Sequence, residues 1–422
     1  MTANAEPSRS PQTPPHPSRA AVAFALALLV LAAYGPSLRN EFVFDDLIFV
    51  EKDTRVQSIV ESPRLFVEPL WHLSRDPVRP GAHAYYRPLQ LLPLSVSHAL
   101  FGDAAWPCHL LSLVLHWLNA MLAFSIFRAL VERPSAALLA AALFAVHPAY
   151  SEAVFWFSDV AGLGVAFSTL AIFRMHMIRG GVGFTGRVTM AVLFLVALWF
   201  KETGIVAPLV LALHDLVIGG RGRRAFLSYF AFAVAFSAYL YFRWRAMGGV
   251  SLGLQSIRFT PLELVANAIA LLPGYAATFL WPFRLNFYHV FVAIDGLASP
   301  RFILGLTILA AAVIAFFGTV RRHRPLALGI GWALVTVAPY LLPRWTELNV
   351  YAERYLYLPS VGIFLAFAYL VGDVSGIFRF RPVEASRNGI SVKRFLLLLA
   401  AVLLTFIVTV ARRALDWRDD VT

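Results

Sequence analysis

The chain has 422 residues, 59% of them hydrophobic and 14% charged, with a mean hydropathy of +0.69. A soluble domain carries roughly 25% charged residues, so this composition excludes a soluble enzyme and requires a membrane protein. The net charge of +12 does not make it a nucleic-acid binder. The arginines are scattered through short segments between apolar runs, where the excess of Lys and Arg in cytoplasmic loops accounts for them. The single cysteine, Cys108, excludes an internal disulfide and a cysteine-based zinc site, and reads as a small packing residue.

Residues 1–19 are rich in Pro and Ser and are expected to form a disordered cytoplasmic tail. The apolar run that follows lacks a good signal-cleavage site and reads as a retained first span, opening a transmembrane domain over 20–413. It crosses outward to a long first outer loop, 39–106, which holds much of the acidic charge and is expected to carry short helices. Later spans alternate so that Arg128, Arg133, Arg174, Arg179, "GGRGRR", "RRHR", Arg379, Arg381, Lys393 and Arg394 fall inside. To keep that parity, the stretch of about 263–283 is read as a re-entrant or interfacial helix broken at Pro273. The expectation is an all-α polytopic helix bundle of about eleven transmembrane helices, ending in a short outer tail, 414–422.

Under this topology the unusual polar clusters share the outer face. They are "NEFVFDD" with Asp45 and Asp46, "YYRPL" with Tyr86 and Arg87, "HPAYSE" with His147 and Glu152, "KETG" with Lys201 and Glu202, and "AERYLYLPS" with Glu353, Arg354 and Tyr355. A charge at mid-membrane costs about 2.5–3.5 kcal/mol on insertion scales, so charged residues gathered at span ends point to one wet cavity. Each cluster also has a plain structural reading. The two aspartates can cap a helix, the Tyr and Arg residues can anchor at the interface, and His147 can satisfy carbonyls freed by Pro148. His147 and Glu152 are spaced poorly for two metal ligands on one helical face, so no metal site is read there. His109, His116 and Asn119 read as interhelical hydrogen-bonding groups.

Taken in order, "NEFVFDD", "YYRPLQLLPLSVSHALFG", "CHLLSLVLHWLNAML", "LFAVHPAYSEAVFW", "KETGIVAPLVLALHDL", "LWPFRLNFYH", "AERYLYLPSVG" and "LDWRDD" resemble the transmembrane and tetratricopeptide-repeat family, multispanning glycosyltransferases of the GT-C superfamily. The resemblance covers most of residues 33–420 and implies a GT-C-like fold. It also implies transfer of a mannose-like hexose from a polyprenyl-phosphate carrier to an acceptor hydroxyl on the non-cytoplasmic side of the inner or plasma membrane. An acidic residue in the first outer loop is essential in such enzymes, which by position implicates Asp45 or Asp46. The family's last helix leads into tetratricopeptide repeats, and no helical-repeat period is visible here. The expected acceptor is therefore a glycan, a lipid-linked sugar or a protein, the last delivered by a separate repeat protein docking near 412–422.

A phosphate leaving group is already charged and needs no general acid, so one carboxylate and a few cations are sufficient chemistry. Adjacent side chains diverge, by about 100° on a helix, so the pair divides into Asp45 as base and Asp46 as organiser of a partner such as Arg87 or Lys201. Arg87, Lys201 and Arg354 are the cations expected to grip the lipid phosphate, with the other named cluster residues lining the substrate site. No cofactor is required, although a divalent Mg²⁺ or Mn²⁺ bridging carboxylate and phosphate is an option the resemblance leaves open. The rival reading is a multispanning transporter or lipid flippase, which would show two related halves and midplane sites. No internal repeat is evident in the sequence.

Overall fold

The computed structural model describes residues 18–71, 85–178, 183–219, 223–249, 259–341, 350–377 and 392–419. The expected N-terminal tail up to residue 17 and the basic loop with Arg379 and Arg381 lie outside them. All regular structure among the described residues is helical. After α1 (Arg19–Tyr34) the first loop carries the short α2 (Asp45–Lys52) and α3 (Thr54–Gln57) and then α4 (Pro88–Phe101). The bundle continues with α5 (Trp106–Leu130), α6 (Pro134–Val146), α7 (Ser151–Phe155), α8 (Val160–His176), α9 (Phe184–Phe200), α10 (Val206–Ile218) and α11 (Arg223–Met247). It closes with α12 (Pro261–Ala270), α13 (Leu272–Leu280), α14 (Pro300–Thr319), α15 (Arg324–Val337), α16 (Tyr357–Ile377) and α17 (Val392–Arg413).

Proline punctuates these helices where a missing N–H costs nothing. It occupies the first turn of α4, α5, α6, α14 and α15. Pro148 acts differently: it drives His147 into an extended conformation (φ −71°, ψ 126°) and bends α6 against Pro148–Phe155 by 49°. Among the described residues nine stretches are long and apolar enough to cross a membrane, or ten if the bent pair is one span.

The span count differs from the sequence expectation in two places. At 17 and 13 residues, α9 and α10 fall short of the roughly 20 a span needs. Pro261–Leu280, expected to be re-entrant or interfacial, is long and apolar enough to cross. Its contacts tie it to the Glu353 end of the bundle. Asn267 accepts the Ile294 amide at 3.0 Å, and the Thr278 and Tyr351 hydroxyls meet at 2.6 Å.

Helix α15 crosses α16 at close quarters. A Cβ built on Gly329 would lie 2.6 Å from the Gly362 carbonyl oxygen, and one on Gly362 would lie 2.8 Å from the Ala333 amide nitrogen. Small residues let membrane helices approach closely enough for dispersion contacts to hold them. Gly362→Val is therefore expected to destabilise the protein by more than the about 1–3 kcal/mol typical of overpacking, because the obstruction is backbone. Thermal unfolding in detergent reads this, and an unchanged midpoint would dismiss the close crossing.

Candidate active site

The charged residues of the candidate site sit mostly where helices break, at one end of the bundle. Asp45 and Asp46 form the first turn of α2, where a helix N-terminus favours negative charge. Asp159 stands immediately before α8. Lys201 follows the last residue of α9, where a cation is favoured, and Glu202 opens the short turn into α10. Glu353, Arg354 and Tyr355 form the turn that enters α16.

Four of these segments converge through buried contacts. The Ser158 hydroxyl donates to Asp46, whose side chain is fully buried. Its neighbour Asp159 accepts from Lys201 Nζ at 3.1 Å, and Arg354 Nε lies 4.0 Å from the same oxygen. Arg354 in turn pairs with the fully buried Glu152, through both its guanidinium and its backbone N–H, the latter at 3.1 Å. Tyr355 separates the two cations: its ring centroid is 5.5 Å from Lys201 Nζ and 5.0 Å from the Arg354 guanidinium. Trp156 covers another side of Arg354 at 5.0 Å, and Tyr340 stacks on Tyr355 at 4.4 Å. Beside this network Arg87 pairs with Glu202 at 2.9 Å, and Arg243 adds a second cation at 3.5 Å.

Several sequence expectations change here. Neither Arg87 nor Lys201 partners Asp46; each has its own carboxylate, and Asp46 is held by Ser158 instead. His147 sits among aromatic rings, stacked on Phe279 at 4.5 Å and close to Tyr150, Phe364 and Phe406. Tyr86 is fully buried and donates to the Phe66 carbonyl at 2.8 Å. Glu353 anchors a different segment, accepting from the Asn286 amide at 2.5 Å and lying 3.3 Å from His289 and 3.8 Å from Arg413. Sequence reasoning missed Asp159 altogether. Its signal was present: a lone acid in the apolar run "WFSDVAGLGVAF".

The opening motif is braced from behind. Phe44, just before Asp45, has φ 53°, a strained value for a bulky residue that costs about 1–3 kcal/mol. Its ring stacks flat on Phe287 at 4.0 Å, with Trp417 edge-on to both. Glu41 N–H donates to the Arg418 carbonyl, and Asn40 to that of Ala414. The "LDWRDD" segment thus holds "NEFVFDD" in place. A cavity of about 660 Å³ opens nearby, but it is lined by residues such as Arg39, Glu41, Glu51 and Trp106, and by none of the network.

No protein-family model matches the chain. In sequence it is 30% identical to the protein O-mannosyl-transferase Tmtc1 of Drosophila melanogaster over 192 residues, 45% of this chain and 22% of that protein. Against Tmtc3 of the same organism the identity is 24% over 474 residues, covering 94% of this chain and 50% of that one. The chain therefore spans about a fifth to a half of the length of these curated relatives. In structure it is similar to the archaeal oligosaccharyltransferase AglB of Archaeoglobus fulgidus, with a TM-score of 0.50 at 14% identity, covering 94% of this chain and 56% of that one. The chain is Tmtc-like in sequence and has the GT-C fold. Both the all-α membrane architecture and the family resemblance expected from the motifs are borne out.

Within this GT-C framework Asp46 has a distinct electrostatic state. Burial pushes its carboxyl up to about 7 and the Asp45 charge adds to the rise, while the Ser158 hydrogen bonds oppose it. The folded state thus holds this proton more tightly than the unfolded chain does. The resulting stabilisation is full below about pH 4, near the ordinary Asp value, and is lost as pH rises through about 7. Asp46→Asn, neutral throughout, should gain stability relative to the native protein between pH 5 and 8.5. Thermal unfolding across that range reads the difference; a flat difference would mean that Asp46 titrates normally.

Proposed function

We propose that the protein is a membrane glycosyltransferase that moves a mannose-like hexose from a polyprenyl-phosphate carrier to an acceptor hydroxyl on the non-cytoplasmic face, with inversion. The observation that carries this reading is the connection of the Asp45–Asp46 motif, through Ser158 and Asp159, to Lys201 and Arg354. It supports a base and phosphate-binding cations that act together. The O-mannosyl-transferase relatives and the dolichol-phosphate in the AglB complex support the same donor chemistry.

Asp45 is half-buried whereas Asp46 is sealed from solvent, so Asp45 takes the acceptor's proton and Asp46 fixes the turn that presents it. The acceptor oxygen attacks the anomeric carbon as the bond from that carbon to the phosphate oxygen breaks, and the phosphate leaves with the electron pair. A single displacement inverts the centre. Lys201, Arg354, Arg87 and Arg243 stand together among Glu152, Asp159 and Glu202. Their positive charge stabilises the departing phosphate. If a divalent ion takes part, the half-buried Asp45 would hold it, and it would supply further positive charge to the departing phosphate.

At the opposite end Arg133, Arg321, Arg322 and Arg324 ring a cavity of about 500 Å³, and the positive-inside rule makes that end cytoplasmic. The reaction then faces outward from the inner or plasma membrane. The acceptor is a glycan or a protein, and a repeat-protein partner at the C-terminal segment would reach the site, since Trp417 packs against Phe287. Asp45→Asn should lower sugar transfer from a polyprenyl-phosphate mannose donor by about 10²–10⁴-fold, with a smaller loss for Asp46→Asn. Near-native turnover in both variants would refute the reading, and activity lost in chelator and restored by Mg²⁺ or Mn²⁺ would assign the ion to it.

A further inference from the structure

We propose that His176, His214 and Asp215, at the basic end of the bundle, bind one divalent transition-metal ion, with Tyr229 orienting the carboxylate. His176 Nε2 lies 2.7 Å and His214 Nδ1 3.3 Å from the same oxygen, Asp215 Oδ1, and the Tyr229 hydroxyl donates to Oδ2 at 3.0 Å. The three ligand atoms all lie within 4.8 Å of one another, and both imidazoles are buried. Around a tetrahedral ion with bonds of about 2.0–2.1 Å, ligand atoms sit about 3.4 Å apart, so the 2.7 Å contact between His176 and Asp215 must open to admit the ion while the 3.3 Å contact of His214 already fits. Two imidazoles with one carboxylate select zinc-like ions over Mg²⁺ or Ca²⁺. A phenol held on the far carboxylate oxygen is the outer-shell contact such a ligand needs.

Two features separate this cluster from the charge network. There, Glu152, Asp159 and Glu202 each meet Lys or Arg; here the groups that meet the carboxylate are two imidazoles and a phenol. The second feature is placement. His176 ends α8, His214 and Asp215 lie in the last turn of α10, and Tyr229 lies near the start of α11. The opposite ends of the same three helices present Asp159, Lys201 with Glu202, and Arg243. An ion here would staple the helices whose other ends hold the network in register.

The test is titration of tag-free full-length protein in detergent, stripped with chelator, with Co²⁺ and then Zn²⁺. The expected result is one equivalent of Co²⁺ with a visible d–d absorption band, its displacement by Zn²⁺, and a raised unfolding midpoint. His176→Asn and His214→Asn keep hydrogen-bonding capacity toward Asp215 but should lose the band and about 100-fold or more in affinity. Tyr229→Phe should keep the band and weaken binding by about 10-fold. Absence of a band and of a shift in the unmutated protein, or a band that persists in both histidine variants, would overturn the site. The unmutated titration decides the matter even where a variant fails to fold.

Discussion

A carboxylate enclosed by apolar helices survives as an anion only with a cation or several donors against it, and the Asp159 carboxylate is where this constraint organises the protein. Lys201 arrives from the end of α9 and Arg354 from the start of α16, and both approach the same oxygen. Removing Asp159 would leave Lys201 buried beside Arg354 with only Glu152 to balance them. Breaking a buried pair in this way costs about 3–5 kcal/mol. The network therefore fixes the relative positions of α8, α9 and α16 more firmly than lipid-like packing could, because interhelical packing in a membrane has no hydrophobic driving force of its own.

The chain pays for this geometry in local structure. Asp46, Asp159, Lys201 and Arg354 each stand at a helix break, where unsatisfied N–H or C=O groups and helix dipoles already favour one sign of charge. Phe44 is the extreme case, held in a strained conformation by the flat stack on Phe287 and the edge of Trp417. That brace explains why the first and last motifs of the chain go together. The C-terminal segment is part of the wall that orients Asp45 and Asp46.

Sequence reasoning read most of the membrane architecture, since apolar runs and scattered arginines report span positions directly. It also found Glu152, Lys201, Glu202 and Arg354, because acids and bases beside aromatic span ends are conspicuous. The pairings were not legible. Whether Lys201 meets Asp46 or Asp159 depends on how α9 rotates against α8, and nothing local encodes that. Gly164 is one determinant, since a Cβ there would strike the Phe200 ring, and glycine identity alone does not say which neighbour approaches. Asp159 escaped because its flanks look like uninterrupted span. His147 drew attention for its Pro148 neighbour, yet the same proline turns it into an aromatic cluster.

The cations at the site are not empty receptors. Lys201, Arg354 and Arg87 are each already committed to a carboxylate, so in the proposed reaction an incoming phosphate would share them rather than fill a vacancy. Sharing is cheap only because the pairs are pre-oriented and the aromatic rings of Tyr355, Tyr340 and Trp156 keep water from competing. In the proposed reaction the network would gain most when negative charge grows on the phosphate as the sugar departs. Preference for the developing leaving group over the intact donor is the differential binding that accelerates a displacement. The same internal carboxylates that hold the cations in place therefore limit how tightly the ground state is bound.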